Sequence, residues 1–133
     1  MGSKVKSTMN LKPPFTGVGI TENGGKMQLG IENGELRPYE LLLTALGTCL
    51  FSTFSDIAEK QRNQFEEADI SISGEKRDEV PMTLKYCRIE MRVKGGQKEA
   101  GLKKAFELAC KYCSIYQTLS HVAQMDAEIF FDQ

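Results

Sequence analysis

The spacing of hydrophobic residues changes period several times along this chain, and each change marks an element. Across "ADISISG" (68–74) and "TLKYCRIEMRVKG" (83–95) apolar and polar residues alternate, the pattern of strands with one buried face. The second stretch puts Cys87, Ile89, Met91 and Val93 on one face and Tyr86, Arg88, Glu90 and Arg92 on the other. A charged connection, "EKRDEVPM", joins the two and predicts a hairpin with a long loop. Earlier, "KVKSTM" and "FTGVGIT" carry β-branched, strand-forming residues. "KMQLGI" follows Asn23-Gly24-Gly25, a hairpin signal, and Asn33-Gly34 ends that third strand.

Helical periods fill the remainder. "PYELLLTALGTCLFSTF" begins at Pro38, which suits a first helical turn because its missing N–H would be unpaired there anyway. The helix is expected to run to about Gln61. Leu41, Leu42, Leu43, Ala45, Leu46, Leu50, Phe51, Phe54, Ile57 and Ala58 cover more than one stripe, so it is a helix buried on most sides. A chain of 133 residues is too small to wrap such a helix alone, which predicts that a partner subunit covers part of it. After Gly95-Gly96 a second helix carries Leu102, Ala105, Phe106, Ala109 and Cys113 on one stripe. "SIYQTLSHV" reads as a short helical extension and "DAEIFF" as a last strand. Three strands, a long helix, two strands, a helix and a strand make one α+β domain over residues 1–133.

Composition narrows the function. A formal net charge of -1 gives no electrostatic reason to expect nucleic acid or an anionic membrane as partner. Asp56, Glu59 and Lys60 are expected to cut the one apolar run short of a membrane span. The first ten residues lack the apolar core of a signal peptide, and Lys6 stands where a myristoylation signal needs Ser or Thr. These features predict a cytoplasmic protein. Cys49, Cys87, Cys110 and Cys113 would then sit in a reducing compartment, where a disulfide is more often transient and catalytic than structural.

Among the chemical candidates, Cys110-Lys-Tyr-Cys113 is a CxxC, but the chain offers no second one and a single His121, too few ligands for zinc. A thioredoxin-type motif opens a helix, whereas this one ends a helix, where the dipole opposes a thiolate. That reading would pair Cys110 with Cys113. Cys87 falls on the apolar strand face and reads as a core thiol. His121 supports no triad, and "KGGQKEAGLKK" lacks the spacing of a phosphate loop. Cys49 lies too deep in its helix for the N-terminal field to activate it, so a reactive Cys49 calls for a cation. Glu40, nine residues earlier, falls on the opposite side of a straight helix, about 13 Å away. On the residues alone, a core thiol and a helix-start carboxylate that act independently remain a sufficient account.

"RPYELLLTALGTC" followed by "KYCSIYQTLS" and a terminal strand resembles the OsmC/Ohr family of thiol peroxidases across essentially the whole chain. The shared pattern is a Pro-x-Glu-led apolar helix with a small-residue step before a cysteine, then a second cysteine ahead of a Thr-Leu turn. The resemblance implies an intertwined homodimer with active sites at the subunit interface. It implies that Cys49 attacks the peroxide and becomes a sulfenic acid, and that Cys113 resolves it into a disulfide. Glu40 matches the acidic residue that orients an activating cation. The implied substrates are organic hydroperoxides and the implied reductant is an external dithiol, such as a lipoylated protein, with no metal, haem or flavin. Two positions depart from the pattern. No arginine precedes Arg37, which becomes the candidate cation alongside Lys4, Lys6, Lys12 and Lys26, and Ser114 stands where the family often has proline. A non-catalytic dimer of the same fold, binding an apolar ligand or sensing oxidants, is the alternative.

Overall fold

The computed structural model describes residues 2–132, and the chain divides into two compact units, one ending at Leu42 and the other beginning at Leu43. In the first unit β1 (Ser7–Lys12), β2 (Thr16–Thr21) and β3 (Lys26–Gly30) form an antiparallel meander in that order. Gly24 turns β2 into β3 at φ 88°, a left-handed conformation in which a side chain would be strained. Every residue of β1 is exposed.

Helix α1 (Pro38–Lys60) begins in the first unit and continues into the second. Its start is a half capping box: Arg37 N–H donates to Glu40 Oε1 at 2.8 Å, and Pro38 occupies the first helical position. Its end is a Schellman turn, with Asn63 N–H donating to Ala58 O and Arg62 N–H to Glu59 O. Arg62 takes the left-handed position there, at φ 55°. The expected interruption by Asp56, Glu59 and Lys60 is corrected here. These residues lie in the last two turns, and α1 is long and apolar enough to cross a membrane by length and composition.

The second unit is a three-stranded sheet with helices against one face. Its strands are β4 (Glu67–Lys76), β5 (Leu84–Lys94) and β6 (Gln124–Asp132), with β5 central. β4 and β5 pair antiparallel as the expected hairpin, whereas β6 pairs parallel to β5 after the crossover through α2 (Glu99–Tyr112) and α3 (Ser114–Ser120). The core joins Cys87, Ile89, Met91 and Val93 of β5 to Leu46, Leu50, Phe54 and Ala58 of α1 and Leu102, Ala105, Phe106 and Ala109 of α2. Four-residue spacing keeps the α1 set on one stripe. Phe54 anchors this core, its ring 5.2 Å from Phe65 and 6.4 Å from Phe106. Gly47 lets α1 lie close to β4, since a Cβ there would meet Ile72 Cδ1 at 3.1 Å.

Charges occupy the opposite face of the sheet, as the alternation requires. Arg88 bridges Asp126 at 3.0 Å and Glu128 at 2.7 Å, and Lys94 pairs with Asp69 at 2.8 Å. Asn63, a buried polar side chain, clamps the start of α2: its Nδ2 donates to Lys98 O at 3.0 Å and its Oδ1 accepts from Lys98 N–H at 3.2 Å.

Candidate active site

Two cysteines, from the middle of α1 and the junction of α2 with α3, meet in the second unit. Cys49 Sγ and Cys113 Sγ are 3.2 Å apart. A disulfide needs about 2.05 Å between sulfurs, so closure requires a movement of little more than 1 Å. Cys113 is brought there by the end of α2. It leaves the helix at φ -67°, ψ 118°, and its backbone N–H still reaches Ala109 O at 2.7 Å. The same residue caps α3, since its Sγ accepts the Tyr116 N–H at 3.4 Å. An extended ψ between two helices thus points one thiol at both the α3 backbone and Cys49.

The environments of the two sulfurs differ. Around Cys49, burial acts to raise the thiol pKa, but the Ile115 backbone N–H, the Cys113 thiol, and the hydroxyl and backbone N–H of Ser114 together outweigh it. Cys49 is left below its ordinary value and only partly buried. The Ser114 hydroxyl is a long contact, Oγ to Sγ at 4.0 Å. Cys113 has no exposed surface, and burial, with Cys49 beside it, pushes its thiol up to about 11 despite the Tyr116 N–H. Such a pair consists of a more acidic, accessible sulfur and a protonated, shielded one.

The sequence points to a cation as the activator of Cys49. The groups that lower its pKa are instead hydrogen-bond donors at the start of α3. Ser114, noted only for standing in place of a proline, supplies two of them. A proline has neither hydroxyl nor N–H, so this departure from the family pattern adds donors to the thiol.

The other two candidate residues, Arg37 and Glu40, lie in the first unit and meet through the Arg37 backbone. Glu40 Oε1 accepts the Arg37 backbone N–H, while the Arg37 guanidinium donates to Ile31 O at 3.2 Å. Cys87 is fully buried on the core face of β5, and burial raises its pKa. Cys110 is half-buried in the last turn of α2, pushed up to about 12 by burial first and by the neighbouring Cys113 second. Between α1 and β4 runs a groove of about 630 Å³, lined by apolar residues such as Leu43, Phe51, Ile70 and Ile72 together with Thr44 and Thr48.

Residues 31–128 match the family model described as OsmC-like protein. The chain is 26% identical over 105 residues to Protein YhfA of Escherichia coli (strain K12), covering 76% of this chain and 78% of that one. In structure it is similar to an OsmC-like protein from Mycoplasma pneumoniae, with a TM-score of 0.88, 15% identity and all of both chains covered. An organic hydroperoxide resistance protein from Legionella pneumophila superposes with a TM-score of 0.75 at 13% identity, over 96% of this chain and 97% of that one. The α+β order read from the sequence is the order observed, and the family resemblance holds: this chain belongs to the OsmC-like family.

Proposed function

We propose that this protein is a thiol-dependent peroxidase that reduces organic hydroperoxides. The observation that carries the reading is the 3.2 Å contact between an accessible thiol held below its ordinary pKa and a buried one held above it. Attack of the Cys49 thiolate on the distal peroxide oxygen breaks the O–O bond, forms the sulfenic acid and releases the alcohol. Cys113 Sγ then displaces that oxygen as water and forms the Cys49–Cys113 disulfide. An external dithiol takes up the oxidising equivalent as its own disulfide, and both thiols return. The name of the Legionella relative, organic hydroperoxide resistance protein, supports this substrate class.

For Arg37, the candidate replacement for the family's missing arginine, we propose a role toward the peroxide rather than the thiol; Glu40 holds its backbone N–H, and its guanidinium donates to Ile31 O. A homodimer is part of the reading. In α1 five residues are buried and most other apolar ones are half-covered, while β1 and β2 expose Met9, Leu11 and Ile20. We assign each of these apolar sets to contact with a second copy of the chain rather than with a membrane, and the protein to the cytoplasm. The apolar groove beside α1 favours a second reading, a dimer of this fold that binds an apolar ligand without turnover.

Treating reduced protein with one equivalent of tert-butyl hydroperoxide and mapping disulfides by peptide mass spectrometry separates the two. The peroxidase reading predicts rapid formation of a Cys49–Cys113 bridge that is absent from Cys49→Ser. Unreacted Cys49 in the wild-type protein would leave the ligand-binding reading.

A further inference from the structure

The CxxC formed by Cys110 and Cys113 has no part in the cycle above, yet one of its members is the resolving thiol. Once Cys49 and Cys113 are joined, the bond is open to attack by a thiol within the protein as well as by one from outside. Thiol–disulfide exchange is fastest when the more acidic thiol leaves, which here means attack on Cys113 and departure of Cys49. Cys113, however, has 0% exposure, which closes this faster route to an outside reagent. Cys110 can reach Cys113 from within the protein. It stands three residues before Cys113 on the same helical path, because Cys113 keeps a helical φ of -67° and departs only in ψ. Side chains spaced this way lie about 5–6 Å apart at Cβ. A disulfide needs about 3.5–4.5 Å, so the last turn must tighten by roughly 1–2 Å.

We propose that Cys110 is a relay thiol: it attacks Cys113 Sγ in the Cys49–Cys113 disulfide, expels Cys49 and holds the oxidising equivalent as a Cys110–Cys113 disulfide, so that Cys49 is free again before any external dithiol acts. One S–S bond breaks and one forms. The Cys110 proton passes to solvent, Cys49 leaves as the thiolate, and no electrons are gained or lost until the external dithiol acts. The step rests on the peroxidase reading. Its direction follows from the donors around Cys49, since stabilising a released thiolate makes its disulfide the more oxidising one. Its rate is limited by Cys110, whose thiolate is scarce at neutral pH because burial holds it at about 12.

The experiment follows both disulfides over time after one equivalent of tert-butyl hydroperoxide, with acid quenching, alkylation and tryptic mapping. Cleavage after Lys111 separates Cys110 from Cys113 unless a bond holds them together. The relay predicts early Cys49–Cys113, then Cys110–Cys113 with Cys49 alkylatable again, the conversion speeding up about tenfold per pH unit between pH 7 and pH 9. Cys110→Ser and Cys110→Ala should both stop at Cys49–Cys113. A Cys49–Cys113 bridge that persists in the wild-type protein at every pH, with Cys110 alkylated, overturns the relay and leaves the peroxidase intact. Cys110–Cys113 forming equally fast in Cys49→Ser overturns the relay by showing an independent route. Failure of Cys49–Cys113 to form in both Cys110 variants while it forms in the wild-type protein overturns the relay alone, and its failure to form in the wild-type protein overturns relay and peroxidase together.

Discussion

Replacing Cys113 by alanine removes the thiol donor 3.2 Å from Cys49 and leaves the backbone donors of α3 in place. A hydrogen bond to a charged acceptor contributes about 1.5–3 kcal/mol, and S–H is a weak donor, so the low end, about 1.5 kcal/mol, applies. That corresponds to roughly a tenfold fall in the thiolate fraction of Cys49 at a pH below its pKa. A more basic thiolate is also more nucleophilic, and this returns about 40–50% of the loss on a logarithmic scale. The net expectation is that iodoacetamide alkylates Cys49 about fourfold more slowly in Cys113→Ala than in the wild-type protein. Cys113→Ser keeps an O–H donor at the same place and should lose much less. The assay is site-resolved alkylation at pH 7, read on the Cys49 peptide so that Cys87 and Cys110 do not contribute. Equal or faster alkylation in Cys113→Ala, with folding confirmed by circular dichroism, would refute the assignment of Cys113 as a donor to Cys49.

Further expectations follow from the same structure. Phe54→Ala empties the centre of the second unit and should cost about 3–5 kcal/mol, measured by urea unfolding. Asn63→Ala removes both bonds to the Lys98 backbone and should cost about 1–3 kcal/mol in the same measurement; a loss near zero would refute the clamp. Cys110 and Cys113 have folded pKa values raised from 9.0 to about 12 and about 11. The fold therefore retains protons that the unfolded chain releases above pH 9, and the stability this contributes below pH 9 is lost as pH rises through about 11–12. The decline should be shallower in Cys110→Ala, and an unchanged slope would contradict it. Arg37→Ala should slow peroxide reduction while leaving iodoacetamide alkylation of Cys49 unaltered, which separates help to the substrate from help to the thiol.

What could be read from the sequence was what repeats locally. The alternation of β5 assigned its buried and charged faces correctly, and Pro38 located the start of α1 because a fixed φ and a missing N–H suit only that position. β1 was less legible. Its strand-forming composition lies at 4–9, whereas the strand runs Ser7–Lys12, fully exposed, so no buried face pinned its limits. The parallel pairing of β6 with β5 carries no local signature either, since it depends on the crossover of α2 and α3. At the site, the family pattern drew attention to Cys49 and Cys113, but nothing in their 64-residue separation states that they touch. The donors to Cys49 were missed for a simpler reason. Backbone N–H groups belong to every residue but proline, and only the extended ψ of Cys113 aims those of Ser114 and Ile115 at the sulfur. The absence of proline at 114 was the available clue.

Whether Cys49 reduces a peroxide is read from single-turnover consumption of cumene hydroperoxide by fully reduced protein, without added reductant. Loss of one peroxide per protomer is expected, far faster than with free cysteine at the same pH, with no such phase in Cys49→Ser. A wild-type rate no greater than that of free cysteine, or a fast phase that survives in Cys49→Ser, would contradict it.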